Sequence, residues 1–152
     1  MFVFYAILTY LIWAYIHEYS HLLAAQHLIG VKSYTMRIYP HKHPTLGFVF
    51  ASVSYEYKTN LISLDQRAWV SFAPRVPNTL ALIIFPFTHG LDLFWFILVG
   101  GGLVDMIRGS FVFSPTSDIK RYSEAWGLET KHSTIIQLSC VALSGLIYLA
   151  RL

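Results

Sequence analysis

A chain of 152 residues that is 55% hydrophobic and only 12% charged has room for one domain. It is too apolar for an ordinary soluble domain, in which about 25% of the residues are charged. The net charge of +3 comes from basic residues that are spread along the chain without a cluster interleaved with aromatic residues, which argues against a nucleic-acid partner. The composition therefore predicts a single membrane-embedded domain, 1–152.

The first predicted element is a helix over about 2–29. Residues 1–16 carry no charged side chain, and the apolar pattern continues to Gly30, which is long enough to cross about 30 Å of hydrocarbon. No basic segment precedes this run and no small-residue cleavage site follows it, so we expect it to stay in the mature protein.

This helix contains an H-E-x-x-H motif, His17-Glu18-Tyr19-Ser20-His21. Residues four apart share a face of a helix, so His17 and His21 can bind one zinc ion while Glu18 lies beside it. The motif predicts one Zn²⁺ per chain and assigns Glu18 as the catalytic base. The alternative is a helix whose histidines only form hydrogen bonds with their neighbours.

Apolar and polar residues then alternate over 34–39 and 46–57, which predicts a β-hairpin or small sheet over about 34–57. We interpret His41 and His43, at its turn, as exposed polar residues rather than as a second metal site. Because this segment follows the motif helix, its edge could receive an unwound substrate strand.

Three further apolar segments predict membrane helices over about 66–87, 91–107 and 133–150. The first two are joined only by Thr88-His89-Gly90, as in a tight helical hairpin. Gly100-Gly101-Gly102 either lets another backbone approach the third helix or marks a local break. The predicted fold class is mainly α, a polytopic bundle of about four transmembrane helices with a small β-hairpin between helices 1 and 2.

Basic residues predict the orientation of this bundle. Lys and Arg occur in the connections between helices 1 and 2 and between helices 3 and 4, but not between helices 2 and 3. Basic loops stay in the cytoplasm, so both termini are expected on the outer side. The chain is thus expected to be a multi-pass integral membrane protein with its active site toward the cytoplasmic side.

Asp105 is the predicted third metal ligand. It lies at the inner end of the third helix, at the same expected depth as His17 and His21, where an unpaired carboxylate would be costly. The alternative is an interfacial Asp105 that pairs with Arg108 three residues later.

Three other side chains compete for this position. Asp118, in a predicted loop or helix cap, is the main competitor. His27 would rotate off the motif face if the helix continues, and would lie about 9 Å further along its axis. Asp92, at the outer end of the third helix, is expected to be an interfacial residue or to cap that helix.

An H-E-x-x-H motif in a transmembrane helix, followed by a hydrophobic hairpin that ends in Asp105, resembles the site-2 protease family of intramembrane zinc metalloproteases, in its small, compact members. The segment H-E-Y-S-H-L-L-A-A, which includes Ala25, is similar to the family's motif helix. Residues 72–78, Phe-Ala-Pro-Arg-Val-Pro-Asn, are similar to its Gly-Pro-x-x-Asn segment with the spacing changed by one. The family's Asp-Gly signature is absent because Met106 follows the aspartate. The resemblance covers about the first 110 residues.

The resemblance implies that Asn78 helps to hold the substrate backbone and that the reaction is hydrolysis of peptide bonds in membrane-spanning or membrane-proximal substrates. Glu18 would take a proton from zinc-activated water and deliver it to the leaving amine. The expected partners are a membrane protein or peptide substrate and the lipid bilayer, and the small size is compatible with a homodimer.

Two alternatives stay open. A non-catalytic membrane scaffold or partner-binding protein could use the histidines for a structural metal or a polar network. A zinc hydrolase could also act on lipid-linked or short peptide amides.

Overall fold

The computed structural model describes residues 1–43, 47–111 and 117–152. Over these residues the chain is mainly helical and has a small amount of antiparallel β-structure, as the sequence predicts. In chain order, the elements are α1 (Phe2–Leu28), β1 (Val31–Arg37), β2 (His41–His43), β3 (Gly47–Val49), β4 (Ser52–Tyr57), α2 (Leu64–Phe72), α3 (Arg75–Ile84), a 3₁₀ turn (Phe85–Phe87), α4 (Leu93–Gly109), α5 (Asp118–Ala125) and α6 (Thr130–Ala150).

Helix α1 runs almost exactly over the predicted 2–29 and places the motif on its buried face. His17, Glu18 and His21 are all buried, as is Ala25 one turn later. The helix stops at Gly30, which has a φ of +86°, a conformation that side-chain-bearing residues rarely adopt. The turn at Gly30 leads directly into β1.

The predicted hairpin over about 34–57 is instead two separate two-stranded pairings. β1 pairs with β4, with Tyr34 opposite Tyr55, and β2 pairs with β3. His41 and His43 lie in strand β2, where their Nε2 atoms are 2.9 Å and 3.4 Å from serine hydroxyls of β4. The prediction of a turn at His41 and His43 is therefore wrong, because both residues lie in a strand. Residue 44, at the end of that predicted turn, lies outside the described residues.

The segment over 64–87 begins with a well-capped helix. The Ser63 hydroxyl accepts the backbone N–H of Gln66, and the Gln66 side chain accepts that of Ser63. Helix α4 starts in the same manner, because the Asp92 carboxylate accepts the N–H of Trp95 at 3.2 Å. The interpretation of Asp92 as a capping residue is therefore confirmed.

Two segments, Leu64–Phe87 and Thr130–Ala150, are long and apolar enough to cross a membrane. They coincide with the second and fourth predicted spans. Helix α4 has 17 residues, and neither it nor α1 is among the candidate spans found in the described residues. The four-helix transmembrane bundle and its orientation therefore stay predictions.

The sequence predicts a loop or a helix cap around Asp118, and helix α5 is not among the predicted elements. Residues 118–125 form a helix, and Asp118 is its first residue after Ser117 at the N-cap position. The helix packs on α2, where Ile119 and Tyr122 form a buried cluster with Ala68. Ile119 and Tyr122, three residues apart on one face, are the pattern that could have predicted this helix.

Helices α1 and α4 pass each other closely at the glycine run. A Cβ atom at Gly101 would lie under 3.0 Å from the side chains of Thr9 and Trp13. The Trp13 indole N–H donates to the carbonyl oxygen of Leu98 at 2.7 Å, and α4 continues without interruption. The close neighbours of Gly101 and Gly102 are side chains rather than another backbone, and Gly100 meets only the Phe85 ring at 3.9 Å. The predicted alternative of a local break is wrong, because α4 is continuous there.

We expect Gly101→Ala to destabilise the protein by about 1–3 kcal/mol, because the added methyl group overpacks this contact. The matched control is Gly145→Ala in α6, where a Cβ would meet nothing within 4 Å. The control should be neutral or gain up to about 1 kcal/mol from the better helix former. Thermal unfolding in detergent, followed by circular dichroism, measures both, and equal melting temperatures would contradict the close-packing argument.

Candidate metal centre

Three side chains from two distant parts of the chain meet beside the middle of the fold. The Nε2 atoms of His21 and His17 lie 3.1 Å and 3.5 Å from the Asp118 Oδ2 atom. One ligand atom from each of the three residues lies within 4.8 Å of the others. His17, His21 and Asp118 therefore form a group that could hold a metal ion.

The Nδ1 atoms of both histidines point away from Asp118 and lie within hydrogen-bond distance of oxygen acceptors. His21 Nδ1 is 2.7 Å from the carbonyl oxygen of Val70, and His17 Nδ1 is 2.9 Å from Asp105 Oδ2. A carbonyl oxygen only accepts hydrogen bonds, so the His21 Nδ1 atom carries the proton. In the neutral rings, the inner Nε2 atoms are then left with free electron pairs, as metal ligands need.

At the centre of the group, the Nε2 atoms of the two histidines and an oxygen of Asp118 face one another, and each of these atoms can donate an electron pair to a metal. Two Nε2 lone pairs and an Asp118 oxygen repel unless protons or a cation lie between them. Two imidazoles and one carboxylate are donors that zinc takes, and three protein ligands leave a fourth position open, as in catalytic zinc sites. The residues present therefore fit a zinc ion.

The charge on Asp118 suits this role. Burial by itself would raise the pKa of its carboxyl group, but His21 and His17, when they carry protons toward Asp118, outweigh burial and hold that pKa well below its usual range. Asp118 is then an anion beside the two rings, and a metal cation would take the place of those protons.

Asp105 reaches the site from α4, but it contacts the Nδ1 atom of His17, on the side of the ring that faces away from Asp118. The same Oδ2 atom accepts the Asn78 amide at 3.0 Å, and Oδ1 accepts the Arg108 guanidinium at 2.9 Å. A carboxylate held in this manner is the outer partner that orients a metal-binding histidine. The group that could hold a metal therefore includes Asp118, the predicted competitor, and not Asp105. The alternative pairing of Asp105 with Arg108 is observed.

Asn78 lies in this outer layer too. It is 1% exposed, its amide N–H donates to Asp105, and it is not among the cavity-lining residues in the described part of the chain. Its role in holding a substrate backbone stays a prediction, while its observed contact positions the carboxylate behind His17. His27 is exposed and takes no part in the group, as expected of a continuing helix.

A cavity of about 530 Å³ opens directly onto the group. Its wall contains Glu18 together with His17, His21 and Asp118, and residues of β4, α2, α3, α4 and α5 complete it. This volume lies in the range of ordinary ligand pockets. The cavity therefore has room for a small ligand beside Glu18.

Sequence reasoning gave no role to Arg75 of α3, a charged residue of this wall. It is the only charged residue over 69–87, and it is 2% exposed. An arginine within an apolar segment of that length is by itself a signal of function.

No family model, curated protein or solved structure matches this chain. The functional argument therefore depends on the site itself.

Proposed function

We propose that this chain is a zinc-dependent hydrolase, with His17, His21 and Asp118 as ligands and Glu18 as the general base. More specifically, we propose an intramembrane metallopeptidase of the site-2 protease kind, which cleaves membrane-spanning or membrane-proximal peptides. One observation carries the proposal: three inward-facing ligand atoms converge beside a glutamate on the wall of a ligand-sized cavity.

The membrane arrangement belongs to the same proposal. We place α1, the 64–87 segment, α4 and α6 in the bilayer as four spans, two of which are long and apolar enough by themselves. The contacts of the histidines with Val70, Asp105 and Asp118 bring the corresponding ends of α2, α4 and α5 to one side of the bundle. The connections on that side hold the basic residues, which supports a cytoplasmic active site.

In the proposed reaction, zinc supplies Lewis acidity, which polarises the scissile carbonyl and makes water acidic enough to lose a proton near neutral pH. Glu18 accepts that proton and delivers it to the leaving amine. Asp105 and the Val70 carbonyl fix the two imidazole rings, so the histidines need no rearrangement when substrate arrives.

The scaffold alternative explains less of this geometry. A structural zinc site is closed by four protein ligands, whereas the described residues supply three and the remaining direction faces a cavity. A scaffold also has no use for a glutamate beside that open direction.

The proposal predicts about one zinc ion per chain in detergent-purified protein, as measured by mass spectrometry. His21→Ala should retain little zinc, because it removes one of three ligands. The matched control is His132→Ala, an exposed histidine at the start of α6, which should retain the zinc. The loaded parent should also cleave a transmembrane test peptide in a manner blocked by a zinc chelator. A parent that binds no zinc after reconstitution would contradict the proposed function.

A further inference from the structure

Arg75 is a buried cation whose observed partners are all neutral. Its Nη2 atom donates to the carbonyl oxygen of Gly109 at 2.7 Å, its Nη1 atom lies 3.9 Å from the Met106 sulfur, and the Tyr122 hydroxyl lies beside it. Its Nε atom is buried and has no hydrogen-bond partner among residues 1–43, 47–111 and 117–152. No carboxylate among the described residues forms an ion pair with this guanidinium.

The surroundings are shaped to hold this charge in place. A Cβ atom at Gly109 would lie under 3.0 Å from the guanidinium, so Arg75 could keep this position against a larger residue only by shifting its side chain. A buried charge without a counterion is costly, and such charges inside apolar segments persist where function needs them. The missing counterion is therefore expected from outside the chain.

The cavity indicates what that counterion is. Three arginines line it, Arg75, Arg108 and Arg121, and its two carboxylates, Glu18 and Asp118, both belong to the proposed catalytic centre. Arg108 is paired with Asp105, which lies outside the lining, and Arg121 forms no ion pair in the part of the chain that the structure describes. The remaining two arginines balance the two carboxylates, so with the zinc ion of the proposed centre a ligand in this cavity would meet an excess of positive charge.

We propose that Arg75 forms an anion subsite that binds a peptide carboxylate close to the scissile bond. The inference rests on the proposed peptidase function and names its substrate class: peptides with an acidic group near the cleavage point. The planar guanidinium matches a carboxylate with two parallel N–H donors, and the Nε atom that lacks a partner is one such donor. The carboxylate can come from an Asp or Glu side chain or from a free C-terminus.

Binding to the Glu18→Gln protein tests this without any cleavage. Three apolar peptides are titrated by calorimetry: one with a central Glu and an amidated end, the same peptide with Gln, and the Gln peptide with a free carboxyl end. We expect one of the two carboxylate peptides to bind about 10-fold or more tightly than the neutral peptide, and which one does so identifies the source. Equal binding of all three would overturn the proposal.

Two variants in the Glu18→Gln background assign the preference to Arg75. Arg75→Gln should reduce it to within about two-fold, and Arg75→Lys should reduce it partly, because the charge stays but the two-donor fork is lost. The matched control is Arg67→Gln, an exposed arginine of the same segment outside the cavity lining, which should retain the full preference. If Arg75→Gln does not fold, as judged by thermal unfolding, Arg75→Lys decides. A full preference in a folded Arg75 variant would overturn the assignment.

Cleavage kinetics and a lipid-binding experiment separate the anion subsite from the proposed peptidase function and from a lipid-binding site. If the zinc-loaded parent cleaves the neutral and acidic peptides with equal kcat/KM, the subsite is wrong while the peptidase stands. If it cleaves no peptide but an Arg75-dependent binding preference is measured, the peptidase is wrong while the subsite stands. In nanodiscs, Arg75-dependent stabilisation by phosphatidylglycerol over phosphatidylcholine, without any peptide preference, would assign the site to a lipid phosphate and overturn the proposal.

Discussion

Glu18→Gln is expected to bind zinc as the parent does and to lose peptide cleavage by about 10²- to 10⁴-fold in kcat, the usual contribution of a general base. Glutamine has almost the same shape as glutamate but cannot accept the proton from the attacking water. Glu18 is not one of the three converging ligand residues, so the metal content should be unchanged. Cleavage of a transmembrane test peptide and zinc per chain are measured on the same preparation.

Glu124→Gln is the matched control for this change. Glu124 is an exposed residue of α5 that lies 3.7 Å from Lys120, an ion pair on the surface whose loss should have little effect. Its cleavage rate should equal that of the parent. If Glu18→Gln retained cleavage, the general-base assignment would be wrong, even with zinc in place.

The motif helix was the part of the site that local sequence could predict. Residues four apart share a helix face by backbone geometry alone, so the approach of His17 and His21 to one point needs no tertiary information. Their ring centroids are 5.1 Å apart. The apolar lengths of the helices and the capping role of Asp92 follow from equally local rules.

The same reasoning could name Asp118, the proposed third ligand, only as a competitor of Asp105. Asp118 is 97 residues from His21 in sequence, and only the packing of α5 on α2 brings it there. A contact of that kind depends on the whole fold. The short polar helix α5 also has no membrane-length apolar run, and its amphipathic face is brief.

The expected depth of Asp105 in the membrane led to a prediction that was partly successful. It placed this carboxylate at the level of the histidines, and its Oδ2 atom is indeed 2.9 Å from His17. Depth along a bundle does not tell which ring nitrogen faces which helix, however. The prediction therefore identified a residue of the site but gave it the position that Asp118 holds in the structure.

This difference can be measured as zinc affinity in Asp118→Ala and Asp105→Asn. Asp105→Asn should weaken zinc binding by about 10- to 100-fold, the usual cost of losing a carboxylate behind a metal-bound histidine. Asp118→Ala should cost more than about 100-fold, because it removes a ligand atom and leaves two histidines. Competition with a chromogenic chelator in detergent gives both dissociation constants.

The order of the two losses decides which aspartate binds the metal. Asp92→Asn is the matched control, because Asp92 caps the opposite end of α4, so it should leave the zinc affinity unchanged. The two substitutions also differ in how firmly the histidine rings stay anchored. Asp105→Asn leaves the His17 Nδ1 atom with at most a neutral amide acceptor, which holds the ring less firmly, whereas Asp118→Ala leaves both rings anchored by Asp105 and Val70. A larger loss in Asp105→Asn than in Asp118→Ala would therefore return the third ligand to Asp105 and require α4 to move toward the Nε2 side of His17.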